Sequence, residues 1–84
     1  MRLIFADAAW EDYRYWQAHD PAVFARINHL ISAIRRDPFA GVGKPQALRH
    51  ALDGFWSRRI DLEQRIVYRV DGDTLAIAQL RVLA

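Results

Sequence analysis

The sequence has 84 residues, 52% of them hydrophobic and 26% charged, which suits one small packed domain over residues 1–84 and excludes a disordered chain. The absence of Cys excludes a disulfide scaffold, a thiolate zinc site and a Cys nucleophile, and no apolar run approaches the ~20 residues that span a bilayer. The formal charge is only +2, but residues 35–69 hold eight of the 12 Lys and Arg, so the basic character is concentrated mid-chain.

Residues 2–6 read as a short buried strand, an apolar run after Arg2. This opening is too short and too soon acidic for a signal peptide, so the expected compartment is the cytoplasm. Asp7 is placed to cap a helix running to about Ala18, with Glu11 and Asp12 adding negative charge near its start. Trp10, Tyr13 and Trp16 recur every three residues as one aromatic stripe, assigned to the core, with an interface as the alternative. Asp20-Pro21 marks a second helix start, an N-cap followed by Pro at the first helical position. Val23, Ile27, Leu30, Ile31 and Ile34 then fall on one helical face, and Asp37-Pro38 ends the element after Arg35 and Arg36.

Residues 37–45 form a loop whose glycines serve turn geometry. Lys44 there is a candidate phosphate contact, but the nucleotide-binding G-x-x-x-x-G-K-[ST] spacing is missing. Beyond the loop the period changes to two. Residues 55–61, 64–70 and 74–82 read as strands, with turns at Leu62-Glu63 and Asp71-Gly72 and an optional short strand near 47–52. The expected fold is α+β: two N-terminal helices packed on a mainly antiparallel twisted sheet, in the order β-α-α-β-β-β.

The basic middle segment suits a polyanion such as nucleic acid, the alternative being a solvated sheet face with local ion pairs. Seven of its eight bases are Arg, whose planar fork matches phosphate. Alternation sends Arg58 and Arg59 to opposite faces, and one of them should join Arg65 on the solvent face. The competing reading pairs these Arg with Asp61 or Glu63. His19, His29 and His50 lack metal-ligand spacing, so no metal site is expected; His50, beside Arg49, is a candidate RNA contact. Phe55-Trp56 reads as entry into a core strand.

Three runs then carry a resemblance: Lys44-Pro45-Gln46-Ala47-Leu48-Arg49-His50, Gly54-Phe55-Trp56-Ser57-Arg58-Arg59-Ile60, and Glu63-Gln64-Arg65-Ile66-Val67-Tyr68. With Trp10–Gln17 and Arg35–Phe39, they resemble the Txe/YoeB toxins of the RelE/ParE superfamily along essentially the whole chain. The resemblance implies a RelE-like fold, often dimeric, that enters the ribosomal A site and cuts mRNA with no metal or cofactor. In that chemistry the ribose 2′-hydroxyl attacks the adjacent phosphate and the 5′-oxygen leaves. It also implies a YefM/Axe-like antitoxin that wraps the toxin and holds it inactive.

By position, Arg65 matches the catalytic Arg, while Arg49 and Arg59 match RNA-holding bases. The family Glu is Gln46 here, the family His is Leu83, and the final Tyr is Ala84. Gln46 cannot take a proton at neutral pH and Leu83 has no ionisable group, so cutting should be impaired by orders of magnitude. The departures fall on catalytic positions and spare the core, a pattern of selected or deliberate inactivation. Proton transfer by Glu63 or His50 is the weaker alternative. The rival functions are a non-enzymatic ribosome- or antitoxin-binding module and a ParE-like topoisomerase poison; the match over Gly54–Ile60 argues against the latter.

Overall fold

The computed structural model describes residues 1–81, so Leu83 and Ala84 lie outside the described residues. Strand β1 spans Arg2–Phe5 and helix α1 spans Asp7–His19. Asp7 does not cap α1. The N-cap is Ala6, which has extended backbone and no side-chain cap, and whose N–H donates to Ile77 O at 2.9 Å. That bond to the sheet fixes the entry one residue early and leaves Asp7 in the first turn, where its charge still suits the helix dipole. Helix α2 spans Pro21–Arg36 and starts as expected: Asp20 Oδ1 accepts from Val23 N–H at 3.2 Å and Pro21 occupies the first turn. Ile27, Leu30, Ile31 and Ile34 are buried, with Val23 packed at the margin of the same face.

Strands β2 (Gln46–Ala47), β3 (Trp56–Arg59), β4 (Arg65–Asp71) and β5 (Thr74–Gln79) complete a five-stranded sheet ordered β1-β5-β4-β3-β2. Only β1 and β5 pair in parallel, so the sheet is mainly antiparallel. The helices cover one face, packing on Ile66, Tyr68, Leu75, Ile77 and Leu80. Among the described residues the opposite face carries no helix.

The strands are shorter than expected at three places. The extra strand near 47–52 shrinks to the Gln46–Ala47 pair, and a 3-10 turn over His50–Leu52 follows it, entered at His50 with φ 59°. Ladder pairing between β3 and β4 stops at Arg59 and Arg65, because the Asp61 carboxylate takes up the turn amides. β5 ends at Gln79, short of Leu80 and Arg81, while residue 82 of the expected strand lies outside the described residues. Helix α1 captures the next residue: Asp12 Oδ2 accepts Leu80 N–H at 3.0 Å and Trp16 Nε1 donates to Leu80 O at 2.7 Å.

The aromatic stripe on α1 is only partly core. Trp16 is buried, and Tyr13 is half-buried and donates to Asn28 Oδ1 at 2.7 Å. Trp10 is 48% exposed, stacked on Tyr13 and edge-on to Phe5 of β1. Among the described residues β1 is an edge of the sheet, and no further strand lies beyond it to cover the ring.

Candidate functional site

The strand register decides which predicted residues meet. Directly paired residues of an antiparallel sheet project from the same face. Gln46 pairs with Ser57 and Ser57 with Val67, which makes one row across three strands; the register to β5 is irregular between Val67 and Tyr68. Arg59 pairs with Arg65 two positions further along β3, so both lie on the face of that row. It is the face without helices, because the intervening Arg58 and Ile66 are buried on the other side; Ser57 and Val67, at the centre of the row, are themselves buried. Of the two adjacent Arg, Arg59 is therefore the one beside Arg65.

Arg65 is held by a turn. Its Nη1 donates to Asp61 O at 2.8 Å and to Gln64 O at 3.0 Å. The expected ion pairs with Asp61 and Glu63 are not the arrangement found: Arg65 uses backbone carbonyls, while the Asp61 carboxylate accepts Glu63 N–H at 2.9 Å and Gln64 N–H at 2.7 Å. Glu63 is exposed in that turn, two residues from Arg65.

The other candidate bases divide between the two ends of β3. Lys44 is at the Arg59 end, since the preceding Gly43 O accepts Arg59 N–H at 2.7 Å. Arg49 and His50 lie in the loop closed by the Leu48 N–H to Phe55 O bond, at the opposite end. The separation along the strand is roughly 13 Å, four residues at strand rise. Arg69, on the same face of β4 as Arg65, stands over the Phe55 ring at 5.8 Å and so belongs to the Arg49 and His50 end. This face thus carries cations at both ends, with the exposed Gln46 and the buried Ser57 and Val67 between them.

Arg58 has a different task. It is fully buried and donates Nε to Tyr68 Oη at 3.2 Å, Nη1 to Val42 O at 3.1 Å, and Nη2 to Asp37 O at 2.5 Å and Ala40 O at 2.9 Å. Those partners are neutral. The guanidinium fork holds the 37–42 loop against the sheet, and Tyr68 adds a bond from its hydroxyl to Pro38 O at 2.7 Å. Burial pushes the Tyr68 hydroxyl above its ordinary pKa of 10.0, against the hydrogen bond and charge of Arg58, which lower it.

Asp61, Ser57, Gln79 and Arg81 were not singled out as site residues by sequence reasoning. For Asp61 the signal was present: an Asp at the start of a short inter-strand turn commonly accepts from amides two and three residues on. Arg81 gave no such signal; its guanidinium lies 4.0 Å over the Tyr15 ring, and its carbonyl accepts Arg65 N–H at 3.3 Å. Among the described residues, no helix is long and apolar enough to cross a membrane, and no cluster of three His, Asp or Glu could hold a metal.

Residues 5–83 match the family model of the YoeB-like toxin of bacterial type II toxin–antitoxin systems. The chain belongs to that family. It is 52% identical over 81 residues to toxin YoeB of Escherichia coli K12, covering 96% of each chain. Among solved structures, a YoeB/ParE toxin from Agrobacterium tumefaciens superposes with a TM-score of 0.97 at 43% identity, covering 100% of both chains. A YoeB dimer and a heterotetrameric YoeB–YefM complex, both from Staphylococcus aureus, each give a TM-score of 0.93 at 38% identity, covering 100% of this chain and 98% of theirs. The two-helix, mainly antiparallel architecture is thus that of the YoeB toxins.

Proposed function

We propose that residues 1–84 form one YoeB-type toxin domain that binds mRNA on the ribosome across the open sheet face, with its cutting power impaired. The observation that carries this reading is the placement of Gln46 on the same face as the Arg59–Arg65 pair. Cleavage by the 2′-hydroxyl needs a base near the nucleophile, an acid near the leaving 5′-oxygen, and cations around the phosphate. Arg65, with Arg59 opposite, supplies the cations and stabilises the charge that develops on phosphorus-bound oxygens. Lys44, Arg49 and His50 extend the grip on the RNA strand to either side.

Gln46 occupies the family's Glu position. Its amide reaches like a carboxylate but binds no proton at neutral pH. Leu83 and Ala84 stand at the family's His and Tyr positions and lie outside the described residues. Each acid–base group typically contributes ~10²–10⁴-fold, and groups acting as a unit do not add. What remains is phosphate binding and partial transition-state stabilisation through Arg65. A YefM/Axe-like antitoxin is the proposed partner and a homodimer the proposed assembly, by analogy with the S. aureus relative. The proposed compartment is the cytoplasm, where the ribosome is.

The Gln46 amide equally favours a second reading, a non-enzymatic module that occupies the ribosome or sequesters antitoxin. Primer extension on a translated mRNA separates the two. The protein is compared with a Gln46→Glu/Leu83→His/Ala84→Tyr variant on purified ribosomes. Cleavage by the variant alone supports an intact toxin scaffold with a disabled centre. Cleavage by both overturns the impairment, and cleavage by neither favours the binding module.

A further inference from the structure

We infer that Asp61 is a positioning residue for Arg65, acting through the turn that both share. The inference rests on the reading of Arg65 as the phosphate-binding cation. The Arg65 guanidinium is tethered by one nitrogen only, and both of its acceptors, Asp61 O and Gln64 O, belong to the β3–β4 turn. Among the described residues Nε and Nη2 have no protein partner, so one edge of the guanidinium fork stays available to an anion. That edge faces a fixed direction only while the two carbonyls hold still.

Asp61 is what holds them. Its Oδ1 accepts Glu63 N–H at 2.9 Å and Gln64 N–H at 2.7 Å, closing the turn from inside. The same turn is tied back to β3, because Gln64 O also accepts Ile60 N–H at 3.0 Å. One carboxylate oxygen therefore fixes the two peptide planes, 62–63 and 63–64, that lie between the two carbonyls on which Arg65 rests, and so sets their spacing. A preoriented guanidinium loses less freedom on meeting a phosphate than a loose one.

Charge and geometry make opposite forecasts for this residue. Asp61 is an acid beside a proposed RNA site, so on charge alone its removal should tighten RNA binding. If its task is positioning, truncation should weaken binding even though a negative charge is lost. Asn keeps the accepting Oδ1 and drops the charge, so Asp61→Asn isolates the two effects.

The test uses the full chain and a short single-stranded oligouridine as the probe. Affinity is read by fluorescence anisotropy, and the guanidinium groups by their Nε–H NMR resonances. Arg65→Ala should weaken binding about tenfold, the loss of one charge-assisted contact. Asp61→Ala should weaken it by roughly 3–10-fold, while Asp61→Asn binds at least as tightly as the parent. In Asp61→Ala the Arg65 resonance should broaden, and the buried Arg58 resonance, which reports the fold, should stay in place. Should Asp61→Ala fail to fold, Asp61→Ser keeps a weaker acceptor and should give a smaller loss of the same sign. Asp61→Ala binding as tightly as Asp61→Asn, with Arg65→Ala still weak, overturns the positioning role and leaves the reading of Arg65 intact. Arg65→Ala binding like the parent overturns that reading and the inference with it.

Discussion

Arg59 and Arg65 stand directly opposite each other across β3 and β4, on the sheet face that the helices leave open. Like charges in direct cross-strand register repel. The Arg65 guanidinium is steadied by two carbonyls, whereas Arg59 is exposed and engaged through its backbone, its N–H donating to Gly43 O at 2.7 Å and its carbonyl accepting from Arg26 Nη2 at 3.1 Å. An arrangement that costs stability in the free protein becomes favourable when an anion sits between the two guanidinium groups.

Arg59→Gln should accordingly stabilise the free protein at low salt, by roughly 0.5 kcal/mol or less given solvent screening. The same change should reduce the rise in melting temperature that added oligouridine gives the parent. It should also make RNA binding less steep in salt, by about one unit of the log–log slope. Thermal melts with and without RNA, at two salt concentrations, check both halves of the expectation.

Arg58 behaves oppositely, though it is the next residue in the chain. Its guanidinium satisfies three carbonyls of the 37–42 loop and the Tyr68 hydroxyl inside the core. Lys presents a compact ammonium and cannot span those acceptors. Arg58→Lys should destabilise the fold by about 3 kcal/mol, since each buried acceptor left bare costs ~1–3 kcal/mol. Urea denaturation of Arg58→Lys beside Arg59→Lys should show a large loss for the first and almost none for the second.

This contrast marks how far the sequence could be read. Local signals were sufficient for Asp20-Pro21 and the Val23–Ile34 stripe, because capping and helical period depend on neighbours in the chain. The turn at Asp71-Gly72 was legible for the same reason, and the β-α-α-β-β-β order holds once the optional short strand is added as β2, which gives four strands after the helices. Which of Arg58 and Arg59 faces solvent was not, because a one-residue change of register exchanges them. Asp7 failed as a cap because a sheet bond from Ala6 to Ile77, distant in sequence, set the helix entry. Lys44 and His50 read as parts of one basic segment, yet the hairpin puts them at opposite ends of β3. Gln46 and Arg65 were linked by family resemblance; their shared face comes from pairings through Ser57 and Val67.

Gly43 is the position where the loop tolerates no side chain. Its φ is 90°, and an added Cβ would come within 2.9 Å of Leu30 Cδ2 and 3.1 Å of Arg58 Cβ. Gly54 has a similar φ of 91° but open space around it. Both Gly→Ala changes carry backbone strain of about 1–3 kcal/mol. Gly43→Ala adds overpacking of a further ~1–3 kcal/mol, because Leu30 is fixed in the core and Arg58 is fixed by its loop bonds. Equilibrium unfolding should rank Gly43→Ala below Gly54→Ala, with the difference reporting contact instead of φ.

Tyr68 makes the fold sensitive to alkali. Its hydroxyl is raised above 10.0 chiefly by burial, with Arg58 opposing the shift. The folded state therefore keeps the phenolic proton to higher pH than the unfolded chain does. In that range the folded state binds more protons, and stability falls as pH rises. Tyr68 contributes its full share below about pH 10, the unfolded value, and that share is lost as pH climbs through the folded value. Ionisation would also remove the proton that Tyr68 donates to Pro38 O, releasing one anchor of the 37–42 loop. Tyr68→Phe should cost about 1 kcal/mol at neutral pH through the lost hydrogen bonds. Above pH 10 its unfolding free energy should decline less steeply than that of the parent. Denaturant midpoints measured from pH 7 to pH 11 would show the two curves converging; parallel curves would mean that Tyr68 does not titrate with unfolding.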